Sequence, residues 1–184
     1  MIITITGKPG SGKSTIAKRL AEKLGMKHYD MGSLQRQMAK ENNMTLEAWQ
    51  KAREQDAGID QKIEAYQKQL GENEKAFVIE GRMSHVMIPR AVKIYLDVDL
   101  HVAAHRIFLE KRGTRHNEED YASEEDVYHA VVARIESEQR RWKNYYGVLK
   151  PHDPQAFDLF LDTTSLSIEE VFEKVYTFIQ SQGE

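Results

Sequence analysis

The sequence predicts an α/β fold, a five-stranded parallel sheet with helices on both faces. Three observations predict it. Short apolar, β-branched runs alternate five times with amphipathic stretches of helical period, and such βα alternation makes neighbouring strands parallel. The runs are apolar on consecutive residues, as strands covered on both faces require. The first run also passes through a glycine-rich turn directly into a helix, the strand-turn-helix unit of open α/β sheets.

The first strand is expected over Ile2, Ile3, Thr4, Ile5 and Thr6, bounded by Gly7. Ile16, Leu20 and Leu24 then recur every fourth residue among charged neighbours, an amphipathic helix stopped by Gly25. A short strand follows near residues 27–30. Ser33 is placed to cap a helix through Met38 and Ala39, and Thr45 to open another carrying Trp49 as a core residue. Residues 50–73 read as polar helix with an apolar stripe at Ile59, Ile63, Tyr66 and Leu70. The third strand is 77–80, ending at Gly81, and the fourth is 93–96, ending at Asp97. A helix with Val102, Ala103, Arg106 and Ile107 follows. Residues 111–126 are charged and poor in apolar groups, and a helix runs on through Val127, Val131, Ile135 and Trp142. The chain closes with a strand at 157–161 and a helix at 167–180 with Ile168, Val171, Val175 and Ile179 inward.

A chain of 184 residues, 40% of them hydrophobic, is the size of one domain with its own core. With no Cys, thiol chemistry and Cys-containing zinc sites are excluded. A net charge of −3 gives no global attraction for nucleic acid. No apolar run reaches the ~18 residues that span a bilayer, and residues 1–7 do not have the flanks of a signal peptide. A cytoplasmic monomer without nucleic-acid or membrane partners is expected, and any affinity for phosphate must be local.

That local site is explicit. Gly7-Lys8-Pro9-Gly10-Ser11-Gly12-Lys13-Ser14, followed by Thr15, matches G-x-x-x-x-G-K-[ST] in full, between a strand and a helix. Glycines let successive backbone N–H groups point at one anion, and the helix N-terminus adds partial positive charge. Lys13 is expected on the β- and γ-phosphates of ATP and the Ser14 hydroxyl on Mg²⁺. Open α/β sheets bind ligands at the carboxyl ends of their strands, where this chain places Asp30, Glu80, Arg82 and, on the next helix, Arg36. Two guanidinium groups there can grip the phosphate of an acceptor monophosphate with paired N–H bonds. Glu80 is the candidate for holding a Mg²⁺-bound water. No N-K-x-D segment argues for a guanine-reading switch protein.

The series 7–15, Met31-Gly32-Ser33-x-x-Arg36, Met44-Thr45-Leu46-Glu47, Ile59-Asp60 and Val78-Ile79-Glu80-Gly81-Arg82 resembles the archaeal-type branch of the cytidylate kinases. So do Arg134-x-x-Ser137-Glu138-x-x-Arg141 and the ending Phe157-Asp158-Leu159-Phe160-Leu161-Asp162-Thr163. The resemblance implies a P-loop nucleoside-monophosphate-kinase fold in one domain, with a monophosphate-binding segment at about residues 30–70 and a lid at about 111–145. It implies acceptor contacts from Asp30, Arg36, Asp60 and Arg82, lid arginines at Arg134 and Arg141, and ATP-dependent conversion of CMP or dCMP to the diphosphate. Arg134 and Arg141 are seven residues apart, hence on one helix face. The chain departs from the family pattern in lacking arginines at Ala65 and Tyr66, in Glu110 after Arg106, and in a longer acidic stretch at 113–126.

Two rivals stand beside this reading. One is a kinase on the same scaffold for AMP, UMP or a hydroxyl acceptor, the last needing a carboxylate base such as Asp30. The other is an ATP-binding regulatory or assembly protein with little turnover. His101 and His105 have metal-ligand spacing but no third ligand, and read as a solvated helix face. Arg140-Arg141-Trp142-Lys143 with Tyr145 and Tyr146 reads as a lid helix with a packed aromatic exit. Glu118, Glu119, Asp120, Glu124, Glu125 and Asp126 read as a solvated loop.

Overall fold

The computed structural model describes residues 1–114 and 121–182. Strands β1 (Ile2–Gly7), β2 (Lys27–Asp30), β3 (Phe77–Glu80), β4 (Val92–Asp97) and β5 (Leu159–Asp162) form one sheet in the order β2-β3-β1-β4-β5. Every neighbouring pair is parallel. The last strand starts later than its sequence suggests, because Phe157 closes a 3-10 turn at Pro154–Ala156 by donating its amide to the Pro154 carbonyl, and the Asp158 side chain accepts from the Lys93 amide. Strand β1 is central, and the direction of connection changes on either side of it. That switch point sets the ligand crevice at the carboxyl ends of β1, β3 and β4.

Alternation along β1 divides the core. Ile3 and Ile5 pack with Ile16 and Leu20 of α1 (Lys13–Leu24) and with Phe172, Val175 and Ile179 of α8 (Ile168–Ser181). Ile2, on the other face, belongs with Phe77, Ile79, Met83, Ile88 and Trp142. Thr4 and Thr6 share that second face and are fully buried, so their hydroxyls must be satisfied internally. Thr6 Oγ1 donates to the Gly81 carbonyl at 3.0 Å and Thr4 Oγ1 to that of Val92 at 3.4 Å. Gly25 ends α1 at φ 64, where only a residue without Cβ is unstrained. Helix α8 carries a capping box, Ser167 with Glu170. Its inward set is Val171, Phe172, Val175 and Ile179. Ile168, in the first turn, is exposed.

Between β2 and β3 lie three helices. Asp30, the last residue of β2, caps α2 (Met31–Glu41) by accepting from the Ser33 amide at 3.0 Å, so Ser33 sits inside the first turn rather than capping it. Thr45 caps α3 (Leu46–Gln55) through the Ala48 amide. Asp56 then breaks the polar stretch: it ends α3 and caps α4 (Ala57–Asn73), accepting from the Gly58 amide at 2.8 Å. Helix α4 buries only part of the expected stripe, Ile63 and Leu70. Its inner face is Asp60, Ile63, Glu64, Gln67, Leu70 and Gly71, while Tyr66 is 38% exposed. Trp49 is buried as expected.

A short helix, α5 (Ser84–Met87), follows β3. Helices α6 (Leu100–Thr114) and α7 (Glu124–Tyr146) pack against each other through Ala104, Val127 and Val131. His101 and His105 are exposed and lean on α7, His101 stacked on Tyr128 and His105 Nδ1 2.9 Å from Glu124 Oε1. Part of the expected lid, residues 115–120 with Glu118, Glu119 and Asp120, lies outside the described residues. Among the described residues no helix is long and apolar enough to cross a membrane.

Candidate active site

A cleft of about 430 Å³ lies at the carboxyl edge of the sheet. Its lining brings together Pro9, Gly10, Gly12, Lys13, Ser14 and Thr15 with Asp30, Glu80, Arg36, Arg82 and Arg134. The loop has its shape for a steric reason. Gly10 and Gly12 hold φ 75 and φ 85, and a Cβ on Gly10 would stand 2.8 Å from the Ala103 carbonyl of α6. Gly7 is equally constrained, since a Cβ there would collide with the Leu96 carbonyl. Lys8 does not face the cleft: its ammonium lies 2.7 Å from Asp97 Oδ1 and donates to the Val98 carbonyl at 3.1 Å, tying the loop to the end of β4. Ser11 is buried and is not part of the cleft lining. Lys13 is held down to a pKa of about 8, first by burial and then by Arg82, with Glu80 opposing and Arg134 adding to the depression.

Across the cleft from the phosphate loop lies an organised cluster of charge. Arg36 Nη2 donates to Ser33 Oγ at 2.7 Å and lies 3.3 Å from Asp30 Oδ2. Burial opposes ionisation of Asp30, but the Ser33 hydroxyl and amide, with Arg36 beside them, hold its carboxyl below the usual range. Arg82 Nη1 donates to Glu138 Oε2 at 2.6 Å, and Arg134 Nε to Glu138 Oε1 at 3.2 Å. One buried carboxylate on α7 therefore holds both arginines. Burial disfavours its charge, yet Arg82, Arg134, Arg53 and Arg141 keep it ionised and its pKa lowered. Arg82 is lowered to about 10, chiefly by burial, and so remains a cation at neutral pH.

Asp60 and Arg141 are not in the cleft. Seven residues of helix do return Arg141 to the face of Arg134, but they also carry it about 10 Å along the axis. There Arg141 Nε donates to Asp60 Oδ2 at 3.0 Å, while Arg53 Nε donates to Asp60 Oδ1 at 2.5 Å. All three side chains are almost fully buried. This triad clamps α3 and α4 to α7, so Asp60 and Arg141 tie those helices together away from the cleft.

The donor set fits Mg²⁺. Ser14 is exposed in the cleft, and Glu80 Oε1 is buried without a hydrogen-bond partner, His28 Nε2 at 3.5 Å making none with it. A hydroxyl and a carboxylate are hard oxygen donors, and Mg²⁺ takes few protein ligands, completing its shell with waters and phosphate oxygens. Among the described residues no group of three or more His, Cys, Asp or Glu side chains could hold a metal alone.

Some residues at the cleft carried no strong sequence signal of their own. Gln35 and Arg106 line the cleft. Arg106 also clasps the carbonyls of Thr163, Thr164 and Leu166, at 2.8 to 3.4 Å, which fixes the loop after β5 beside the phosphate loop. Glu138 reads as an ordinary i,i+4 partner of Arg134, and its link to Arg82 spans 56 positions. The polar residues at 60, 64 and 67 on one helix face were the one available hint of a polar interior.

A parallel sheet of this order, a phosphate loop between β1 and α1, and arginines converging across the cleft define a P-loop kinase architecture. Comparison with known proteins agrees. A shikimate kinase structure from Bacteroides thetaiotaomicron superposes with a TM-score of 0.65 at 15% identity, covering 99% of this chain and 97% of that one, a likeness of fold. The chain belongs to the cytidylate kinase-like family, which its residues 2–165 match. A cytidylate kinase from Methanopyrus kandleri is 36% identical over 182 residues, covering 94% of this chain and 89% of its own length. One from Pyrococcus horikoshii is 35% identical over 173 residues, covering 94% and 84%.

Proposed function

We propose that the protein transfers the γ-phosphoryl group of ATP to cytidylate, CMP or dCMP, giving ADP and the diphosphate. The observation that carries this reading is the single cleft in which Lys13 and its loop share a wall with Arg36, Arg82 and Arg134. In it ATP lies on residues 7–15 with Lys13 at its β- and γ-phosphates, and the acceptor phosphate lies between Arg36 and Arg82. Mg²⁺ would be held by Ser14 and, through water, by Glu80; when bound it offsets charge on the phosphate oxygens.

An acceptor phosphate oxygen attacks the γ-phosphorus in line as the bond to the ADP oxygen breaks. Phosphate is largely ionised at neutral pH, so no general base is required. The protein supplies position and charge: the arginines hold the nucleophile, and Lys13 and Arg134 stabilise charge spread over the transferring oxygens. Arg134 lies on α7, the far part of the proposed lid at 111–145, whose closure would exclude the water that hydrolyses ATP. The segment at 30–70 would move with the acceptor. The reading takes the enzyme as a cytoplasmic monomer working on free nucleotides. A hydroxyl acceptor is less well served, because Asp30, the base it would need, is committed to capping α2 and to Arg36.

The test is ADP release with CMP, dCMP, UMP, AMP, GMP and simple hydroxyl acceptors, with Lys13→Ala as blank. CMP and dCMP are expected to give the highest kcat/KM. A signal with AMP and none with CMP or dCMP would overturn the cytidylate assignment. ATP turnover indifferent to every acceptor would overturn the kinase reading.

A further inference from the structure

Behind Arg82, on the side away from the phosphate loop, a second cavity of about 20 Å³ shares Met31, Gln35 and Arg82 with the cleft. Its remaining wall includes Glu64, Gln67 and Trp142. Space for about one water is too little for a ring but enough for the polar edge of a ring lying in the cleft against Met31 and Gln35. We propose that Glu64 and Gln67 read the base of the acceptor nucleotide at this cavity and select an amino-pyrimidine over an oxo-pyrimidine. This rests on the reading of Arg82 as an acceptor-phosphate ligand.

The hydrogen bonds support a reader of fixed polarity. Ser84 Oγ donates to Gln67 Oε1 at 2.6 Å, and Gln67 Nε2 in turn donates to Glu64 Oε2. Ser84, Gln67 and Glu64 are all buried, so the chain is not a solvated surface network. With its carbonyl committed to Ser84, Gln67 presents only N–H to Glu64, which makes Oε2 an acceptor and leaves any carboxyl proton on Oε1. Glu64 is itself pushed up to about 8, first by burial, with Arg53 opposing and Asp60 adding to the rise. The other charged or titratable groups around it are Lys68 on its own helix, Arg82 beyond β3, and Glu138, Arg141 and Tyr146 on α7.

A neutral carboxyl so held offers one donor beside one acceptor in a set order. Cytosine presents the complement, an N4 amino donor beside the N3 acceptor, and a carboxyl oxygen accepting from N4 is a common side-chain pairing. Uracil presents the same two kinds of group in reverse order, an O4 acceptor beside an N3 donor. Ionised Glu64 would offer two acceptors and lose its bond to cytosine N3. The preference for cytosine is therefore present below the Glu64 pKa and is lost as pH rises through it.

The experiment measures kcat/KM for CMP and for UMP with saturating ATP from about pH 6 to about pH 9 and takes their ratio, in which Lys13 and the acceptor phosphate, common to both substrates, cancel. In the unaltered enzyme the CMP:UMP ratio is expected to fall by about tenfold as pH rises through 8. In Glu64→Gln, which keeps a donor and an acceptor but cannot ionise, the ratio is expected to be flat. Ser84→Ala, which frees the Gln67 amide to turn over, should lower the ratio at every pH. Nucleotide fluorescence titration with ATP checks that each variant is folded. CMP turnover with a ratio indifferent to pH and to both substitutions overturns this inference and leaves the proposed function standing. Absence of CMP turnover alongside turnover of a purine monophosphate overturns both.

Discussion

Glu138 on α7 accepts a hydrogen bond from Arg82, just beyond β3, at 2.6 Å and across 56 positions of sequence. With Arg134 on its other oxygen at 3.2 Å, it stands where two cations would otherwise repel each other. Glu138→Gln keeps the shape and removes the charge. The expected result is a kcat about tenfold lower with a smaller change in the KM for the acceptor, because the arginines are mis-set rather than absent. Breaking one partner of a buried pair should also cost about 3 kcal/mol of stability. Steady-state kinetics and thermal melting separate the two effects.

Arg36 and Arg82 should behave as acceptor ligands. Each charge-assisted bond to phosphate is worth about 1.5–3 kcal/mol, so Arg36→Ala and Arg82→Ala should each raise the acceptor KM by ten- to a hundredfold, roughly, while ATP affinity changes little. Arg82→Ala additionally leaves Glu138 with one partner fewer and should be the less stable variant. Equilibrium binding of ATP and initial-rate kinetics with CMP check both statements.

Lys13 is a depressed lysine, at about 8 instead of 10.5. As a cation taken out of water by burial and placed near Arg82 and Arg134, it costs stability in the free enzyme, fully below pH 8, and the cost is relieved as pH rises from 8 towards 10.5. Lys13→Met should therefore raise Tm at neutral pH while abolishing turnover. Triphosphate binding restores the proton, so ATP binding should take up close to one proton above pH 8 and weaken as pH rises further. Calorimetry in buffers of different ionisation enthalpy reads that proton directly.

His85, buried, and His152, half-buried, sit in an aromatic cluster with Tyr95, Trp142 and Phe157, and desolvation holds both near 4. Unfolded, they titrate at 6.5, the ordinary value, so the unfolded chain binds more protons between the two values. Stability should fall as pH drops from 6.5 towards 4, with a slope of up to about 1.4 kcal/mol per pH unit for each histidine. Urea unfolding across that range, repeated with His85→Phe, should show the slope reduced.

Read along the chain, the strands and the phosphate loop were legible because their signals are local. Consecutive apolar residues mark a strand covered on both faces, and Gly10 and Gly12 mark a backbone that no side chain tolerates. Pattern alone places the cap of α2 at Ser33, because it gives a residue one role and Asp30 both ends a strand and caps a helix. The run at 50–73 read as one helix because the break is made by a single carboxylate, Asp56, with no glycine cluster or proline to announce it.

Sequence alone thus determined the sheet, the loop that binds phosphate and the arginines able to meet it, since each depends on residues close together in the chain. Tertiary structure decided which of those arginines work in the cleft. Arg134 and Arg141 are equivalent by helical phase, but α7 is long, so one lines the cleft and the other is buried on Asp60. It also decided that the inner face of α4 is polar, with Asp60, Glu64 and Gln67 drawn inward by Arg53, Arg141 and Ser84 from other elements. Burial of a charge depends on partners distant in sequence, and only the folded chain brings them together.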